Sequence, residues 1–175
     1  MDDDDVLTDS EESDQYFVSA PEVVVVSDYS LHARRALQNA EADAVSAHVG
    51  VVTCEHLLLS LAADSACAAA ALLLQCGFSG EPITQAVRFI AGLQPTEIPN
   101  AAVDFSPRLE RVLHGAGIEA GKRNAAQVDT LHLLFALIQE QKGIAVAALE
   151  APGVGHQTIG AALSNALRNG VTDPA

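Results

Sequence analysis

Apolar residues recur every three or four positions along most of the chain beyond residue 29, a spacing typical of amphipathic helices. The first such stretch begins after Ser30, a favourable N-cap residue, and continues to about Ala47. Its apolar positions are Leu31, Ala33, Leu37, Ala40 and Ala44. Alanine, the strongest helix former, supplies much of the hydrophobic fraction, whereas aromatic residues make up only 4% of the chain. The pattern therefore predicts an all-α fold.

Cap and stop residues divide the chain into about eight predicted helices. Serine, threonine and aspartate cap helix starts, and proline and glycine mark helix boundaries. In order, the predicted helices are Ser30 to about Ala47, Cys54–Ala63 after Thr53, Ala66–Cys76 after Ser65, Glu81 to about Ala91 after Ser79, one opened by Ser106-Pro107, Thr130–Gln141 after Asp129, one stopped by Pro152-Gly153, and His156–Asn169 ended by Gly170.

Residues often recur 76 positions later, which indicates an internal duplication. His56-Leu57-Leu58, for example, recurs as His132-Leu133-Leu134, and the register needs no gap over roughly sixty positions. We therefore expect one compact domain over residues 29–170, built from two pseudo-symmetric four-helix repeats. Its parts are repeat one at residues 29–91, a linker at 92–104 and repeat two at 105–170.

The formal net charge of -14 is concentrated in the first 28 residues, which hold ten of the 23 acidic residues and no lysine or arginine. Such a polar segment buries little apolar surface, so we expect residues 1–28 to form a disordered acidic leader. Val23-Val24-Val25-Val26 interrupts it and favours a short strand at 23–26. This strand would dock on the body or on a partner's sheet edge; alternatively, the segment tucks against the first helix. Residues 171–175 are expected to be a disordered end.

The acidic balance argues against nucleic acid and against an anionic membrane surface, because both need lysine and arginine clusters. The start Met-Asp-Asp-Asp-Asp is unlike a secretory signal, and a cytoplasmic protein is the default. Cys54, Cys67 and Cys76 are odd in number and form no C-x-x-C pair, so we expect neither disulfides nor zinc. His56 and His132 occupy equivalent places in the two repeats. They could form a symmetric metal or proton site, or they could be buried rings that cap the neighbouring loops. We expect no metal site.

Two pairs of motifs at this fixed offset resemble a known family. Tyr29-Ser30-Leu31-His32-Ala33-Arg34 and Phe105-Ser106-Pro107-Arg108-Leu109-Glu110-Arg111 look like the aromatic-Ser/Thr-x-Arg start of each half of the Clp N-terminal (double Clp-N, or Clp repeat) domain. Thr53-Cys54-Glu55-His56-Leu57-Leu58 resembles its Gly-Thr-Glu-His-Leu-Leu signature, and Asp129-Thr130-Leu131-His132-Leu133-Leu134 is a degraded copy. The resemblance covers about residues 29–168 and implies eight helices in two pseudo-symmetric halves.

The resemblance also implies candidate binding residues. In the family, the domain stands at the front of Hsp100 unfoldase ATPases of the ClpA and ClpC types, where it receives adaptors and substrates. Its aromatic end forms part of a groove for peptides and small ligands, which points to Tyr29, Phe105 and the nearby Arg108; core packing is the alternative for the two aromatics. In the ClpC type, the signature Glu helps to hold phosphorylated arginine, which points to Glu55, whereas the second copy carries Leu131.

We therefore expect a non-enzymatic protein- or peptide-binding module of the Clp unfoldase–protease system, with no catalytic residues and no cofactor. No P-loop motif occurs, so the sequence predicts a stand-alone domain or the fragment of a longer chain. Its partners would be a Clp-type ATPase, adaptors or protein substrates, for which it is an accessory, an adaptor-like regulator or a competitor. The alternative is a decoy that binds cyclic-peptide antibiotics or phosphoarginine-marked proteins. The expected location is a bacterial cytoplasm, with the plastid stroma as the other option.

Overall fold

Six helices and two short strands make up the described structure. The computed structural model describes residues 25–47, 49–78, 103–140 and 155–174, together with Ala147 and Leu149, which are helical. The elements in chain order are α1 (Leu31–Ser46), β1 (Val51–Val52), α2 (Cys54–Ala63), α3 (Ala68–Gln75), β2 (Asp104–Phe105), α4 (Pro107–Lys122), α5 (Thr130–Gln139) and α6 (His156–Arg168). The predicted helix at residues 81–91, most of the helix before Pro152 and residues 1–24 lie outside the described residues. The all-α prediction is confirmed.

The predicted caps begin the first helix of each repeat at equivalent positions. The Ser30 hydroxyl accepts a hydrogen bond from the Ala33 N–H at 3.1 Å, and the Ser106 hydroxyl accepts one from the Leu109 N–H at 3.2 Å. Each cap satisfies one of the backbone donors that a helix leaves free at its start. The caps therefore place the starts of α1 and α4 at equivalent positions, and each helix runs for 16 residues.

The start of α3 differs from the prediction of a Ser65 cap. The helix begins two residues later, after Cys67, whose sulfur accepts a hydrogen bond from the Ala70 N–H at 3.4 Å. The preceding turn is held by the Asp64 carboxylate, which accepts from the Ala66 N–H. Gly77 adopts a positive φ of 89° just beyond the helix, as predicted for a left-handed C′ position.

The core is formed around α2 and α5, the equivalent second helices of the two repeats. Eight of the ten residues of each helix are buried, so these helices are covered on nearly every side. Leu57 and Leu58 in α2 and their counterparts Leu133 and Leu134 in α5 have no exposed surface and belong to one continuous hydrophobic cluster. The two repeats therefore share a single core.

The outer helices α1 and α4 approach this core through small or branched side chains on one face. In α1 these buried side chains are short, which lets the helix pack closely. The buried apolar residues of the two helices are Ala33, Ala36, Ala40 and Ala44 in α1, and Leu109, Val112, Ala116 and Ala120 in α4.

Each repeat begins by pairing with a loop of the other repeat. Strands β1 and β2 are parallel, with Val52 opposite Phe105, and an isolated parallel bridge joins Tyr29 to Val128. These two pairs are equivalent under the 76-residue offset, so a pseudo-twofold relation connects them. The exchange fixes the two repeats to each other by backbone hydrogen bonds as well as by the shared core.

The two described valines before α1, Val25 and Val26, contact α4 of the second repeat. The Val26 N–H donates to the carbonyl of Gly117 in α4 at 3.1 Å, and neither Val25 nor Val26 belongs to a strand. A Cβ at residue 117 would lie 2.5 Å from the Val26 carbonyl oxygen. Glycine at this helical position therefore gives the Val26 backbone the space it needs.

Residues 171–174 of the C-terminal segment predicted to be disordered make defined hydrogen bonds, whereas residue 175 lies outside the described residues. The Val171 N–H donates to the Ala166 carbonyl at 3.0 Å, directly after Gly170 with its positive φ of 70°. The Asp173 carboxylate then accepts hydrogen bonds from three other parts of the chain. Charge-assisted hydrogen bonds of this kind hold a segment that buries little apolar surface.

Among the described helices, none is both long and apolar enough to cross a membrane by itself. Helices α2 and α3 together reach the length and composition of a membrane span, with a bend of 83° between them. Eight of the ten residues of α2 and four of the eight of α3 are buried in the core, where apolar helices are expected.

Candidate functional site

The exchanged pairs create two equivalent junctions between the repeats, and all sequence-predicted site residues lie at one or the other. At the first junction, Tyr29 pairs with Val128, and the Ser30 N–H donates to the Val128 carbonyl at 2.9 Å. At the second junction, Phe105 pairs with Val52, and the Ser106 N–H donates to the Val52 carbonyl at 2.9 Å. Each junction thus brings the start of one repeat's first helix to the start of the other repeat's second helix.

A single carboxylate fills the centre of the first junction. Asp173 accepts from the Ser30 hydroxyl at 2.7 Å, from the Thr130 N–H at 3.0 Å and from the Ala68 N–H at 3.1 Å. The Thr130 hydroxyl donates a further short hydrogen bond to it. These donors belong to the starts of α1, α5 and α3, where the partial positive charge of the helices favours an anion.

An open groove adjoins the Asp173 carboxylate. Its volume is about 440 Å³, and it contains the guanidinium-bearing side chain of Arg34. The lining residues come from α1, from the turn before α5 and from the C-terminal segment. They are Ser30, Leu31, Arg34, Ala125, Ala126, Gln127, Asp129, Thr172, Asp173 and Pro174.

The second junction holds a group of charged side chains instead. Glu55 lies in the first turn of α2, is largely buried, and has no ion-pair partner within the described part of the chain. Arg108 in the first turn of α4 lies 3.6 Å from the Glu140 carboxylate, and Arg111 donates to the same carboxylate at 3.0 Å. The charges of Glu55, Arg108 and Glu140 all act on the neighbouring Cys54 thiol. This junction therefore combines a sheltered carboxylate with a half-exposed guanidinium.

The predicted site residues thus divide between the junctions. Phe105, Arg108 and Glu55 come together at the second junction, whereas Tyr29 lies at the first. Both aromatic side chains are half-buried against the core, and burial raises the pKa of the Tyr29 hydroxyl. Each ring therefore packs against the core and still has some exposed surface beside a helix start.

Asp173 is the junction residue that the sequence analysis missed. The 76-residue register contained a signal for it, because Thr172-Asp173 repeats the pattern of Thr96-Glu97. An acidic residue at an equivalent place after each repeat is not expected of an unstructured end. The signal was outweighed by the small and polar residues around it, which are typical of disordered termini.

The Cys54 thiol is strongly disfavoured from ionising to the thiolate. Burial raises its pKa to about 12; Glu55 contributes to the rise and Arg108 opposes it. Burial also raises the pKa of Cys67 and of Cys76, but Cys76 is only half-buried. Because the thiolate is the nucleophile, Cys54 is not suited to nucleophilic chemistry.

We expect iodoacetamide at about pH 8 to alkylate native protein at Cys76 and to leave Cys54 and Cys67 unmodified on the same time scale. A pKa near 12 lowers the thiolate fraction of Cys54 about thousandfold relative to an ordinary thiol. Peptide mass spectrometry gives the modified positions. Guanidinium-denatured protein, alkylated at all three positions, is the control; rapid native modification of Cys54 would contradict the prediction.

The equivalent buried histidines cap their own helices. The Nδ1 atom of His56 accepts from the Thr53 N–H at 3.1 Å, and that of His132 accepts from the Asp129 N–H at 3.2 Å. Burial lowers the pKa of His56, despite the opposing charges of Asp43 and Glu55. Over the described ranges, no group of three histidine, cysteine or acidic side chains has the arrangement of a metal site.

Comparison with known proteins identifies the repeated architecture. Residues 28–125 and residues 104–174 both match the model of the Clp repeat (R) N-terminal domain, and together they cover most of the chain. The chain belongs to this family. Clp N-terminal domains are protein-interaction modules of Clp ATPases, and their fold is a binding fold rather than a catalytic one.

Individual relatives agree with this assignment. The chaperone protein ClpB of Oceanobacillus iheyensis is 29% identical over 128 residues, which are 72% of this chain and 15% of the relative. The chain thus spans less than one sixth of that relative. The solved N-terminal domain of ClpD from Arabidopsis thaliana has a TM-score of 0.65 at 22% identity, covering 80% of this chain and 94% of that domain. A solved ClpV N-domain in complex with a VipB peptide has a TM-score of 0.63 at 17% identity, covering 81% and 88%.

This Clp repeat domain departs from the family signature at both junctions. At the second junction Glu55 is retained, but the preceding signature threonine is replaced by the buried Cys54. At the first junction Leu131 takes the place of the signature glutamate, and its side chain is completely buried in the core. The carboxylate at the first junction comes instead from Asp173. The two junctions therefore present different chemistry, although their backbones are equivalent.

Proposed function

We propose that this Clp repeat domain is a non-enzymatic module that binds proteins or peptides in the Clp unfoldase–protease system. It acts as an accessory, regulating the ATPase like an adaptor or competing with it for substrates and adaptors. The observation that carries the proposal is the second junction. There, the sheltered Glu55 carboxylate in the first turn of α2 and the half-exposed Arg108 in the first turn of α4 both act on the Cys54 thiol, and Phe105 pairs with Val52 just before α2.

The chemistry of the second junction suits a peptide ligand. The Glu55 carboxylate is an acceptor for a basic side chain of the peptide, and its burial would strengthen such a charge-assisted hydrogen bond. Arg108 is paired with Glu140 at 3.6 Å, which orients the guanidinium without burying it. Phe105 supplies apolar surface next to these charges. The peptide complex of a ClpV N-domain, which shares this fold, supports a peptide as the ligand.

We expect the full chain to slow degradation of a model substrate by a purified Clp ATPase–protease at least twofold when the chain is in tenfold excess over the substrate. The reason is direct competition, because substrate bound at the second junction is withheld from the ATPase. The double substitution Glu55→Gln with Arg108→Ala should restore most of the rate. Fluorescent substrate turnover, with titration of the chain, measures the effect.

Arg168→Ala is the matched control, because Arg168 is an exposed arginine on α6, an element that carries none of the residues named at the second junction. It should inhibit as strongly as the wild type. The proposal fails if wild type leaves the degradation rate unchanged and also binds neither the ATPase, nor an adaptor, nor the substrate. Equal inhibition by wild type and the double variant would instead show that the second junction is not the binding site.

A decoy role for cyclic peptides or phosphoarginine-marked proteins is the alternative. The half-buried rings of Tyr29 and Phe105 favour cyclic peptides, whereas the retained Glu55 favours phosphoarginine at one junction at most, because Leu131 has no acceptor. In the same assay a decoy would leave an unmodified substrate unaffected and relieve inhibition of the ATPase by the cyclic peptide. We also propose a bacterial cytoplasmic location, where such partners operate.

A further inference from the structure

The C-terminal segment Val171–Pro174 crosses the first junction and occupies its centre with one side chain. Ser30 and Ala68 belong to repeat one, and Thr130 belongs to repeat two, so the Asp173 carboxylate bridges both repeats. The Ala69 N–H also donates to the Thr130 hydroxyl at 3.2 Å, which holds that hydroxyl in place. The carboxylate is thus bound by donors from three separate stretches of chain.

These donors need an acceptor wherever Asp173 is not bound. Ala68 and Thr130 are the first helical residues of α3 and α5, so their N–H groups have no acceptor within the helix. Two hydroxyl groups converge on the same carboxylate. A charged acceptor is favoured over water here, because several helix starts contribute positive partial charge. An external carboxylate would therefore satisfy the donors in the same way.

Except for the Asp173 side chain, the segment that carries it makes few contacts with the rest of the domain. Val171, Thr172 and Pro174 are exposed, with 46% of Val171 accessible. Before Asp173, the hydrogen bond from the Val171 N–H to Ala166 is the last backbone anchor among the described contacts. The adjoining groove is open and is lined by Arg34, which attracts an incoming anion, and by Asp129, whose carboxylate is bonded to the Leu131 and His132 N–H groups. The carboxylate can therefore leave without disturbing the shared core.

We propose that residues 171–174 form an intramolecular strap that blocks a carboxylate-binding pocket at the first junction, and that a peptide with an acidic side chain displaces it. The inference that the occupant is a peptide rests on the proposed function, whereas the closed strap rests on the contacts alone. While the strap is closed, the apparent affinity for such a peptide falls in proportion to the open fraction. Because the strap is tethered, it competes at a high effective concentration.

We expect the peptide acetyl-Gly-Val-Thr-Asp-Pro-amide, which copies residues 170–174, to bind the full-length Asp173→Ala variant at least tenfold more tightly than wild type. Its aspartate should take the place of the missing carboxylate. Titration is followed through the backbone amide NMR resonances of Ala68 and Thr130, the two donors to Asp173. The same peptide with asparagine in place of aspartate should bind neither protein.

Asp173→Asn keeps the shape of the side chain and provides a second variant for the case that Asp173→Ala does not fold. Its Ala68 and Thr130 amide resonances should lie upfield of those in wild type, because the charged acceptor is lost. Unchanged resonances in Asp173→Asn, equal peptide affinity for wild type and variant, or no binding to either folded variant would overturn the proposal. No Clp protein is present in this titration, so its outcome is independent of the degradation assay.

Discussion

Replacement of Leu133 by alanine is expected to lower the free energy of unfolding by about 2–5 kcal/mol. Leu133 has no exposed surface and lies in α5, at the centre of the cluster that both repeats share. The substitution removes buried apolar surface and leaves a cavity that closely packed neighbours fill only in part. The equivalent substitution Leu57→Ala in α2 should fall in the same range. Urea denaturation followed by circular dichroism gives both values.

The same experiment tests whether the repeats fold as one unit. Because α2 and α5 belong to one cluster, each variant should unfold in a single cooperative transition. Leu74→Ala is the control: the Leu74 side chain is 66% exposed, and its loss should change stability by no more than about 0.5 kcal/mol. A biphasic transition in Leu133→Ala, with repeat one still folded, would show that the repeats are independent.

Gly117→Ala is expected to destabilise the protein by about 1–3 kcal/mol, although alanine is the better helix former. The new Cβ would lie 2.5 Å from the Val26 carbonyl oxygen and 3.0 Å from a Val25 methyl carbon. The contact with backbone can be relieved only if the segment before α1 moves away from α4. Thermal unfolding measures the loss, and limited proteolysis should show faster cleavage near Val25.

Gly115→Ala is the matched control on the same helix. Its Cβ would lie 3.7 Å from the Ala136 Cβ, an ordinary contact, so the higher helix propensity of alanine should stabilise the protein by about 0.5–1 kcal/mol. The two glycine variants should therefore differ in sign. Equal stabilisation by both would mean that Val25 and Val26 are not docked on α4 in solution.

The positions of the two docked ends of the domain affect which junction is open to a partner. Val26 fixes the root of the acidic leader on repeat two, and Asp173 fixes the C-terminal segment across the first junction. Among the described contacts, neither Val26 nor Asp173 is hydrogen-bonded to a residue named at the second junction. The equivalent junctions are consequently available to different ligands: a basic side chain suits Glu55, whereas an acidic one must displace Asp173.

The helices and their starts could be predicted because the signals are local. Ser30, Ser106 and Asp129 each cap the helix that directly follows, through a hydrogen bond to an N–H no more than three residues away. The 76-residue duplication could be predicted for a related reason, since both copies must bury the same helix faces in the same order. Two repeats in one domain followed from these observations without any tertiary information.

The contents of the junctions could not be predicted in this way. The bond between Ser30 and Asp173 joins residues 143 positions apart, and neither residue has a neighbour that specifies the other. Gly117 has the unfavourable helix propensity of any glycine, and its purpose becomes visible only when Val26 lies against it. The glutamate at position 55 suggested a binding site from sequence, but its position beside Arg108 depends on the exchange of strands between repeats.

The charge of the acidic leader, the starts of most of the described helices and the duplicated junction motifs were thus properties of the sequence itself, because charge, periodicity and capping act over a few residues. The docking of Val26 on α4, the binding of Asp173 at the first junction and the charged cluster at the second junction were decided only by the tertiary structure. They depend on which distant surfaces meet once α2 and α5 bury their leucines in one core.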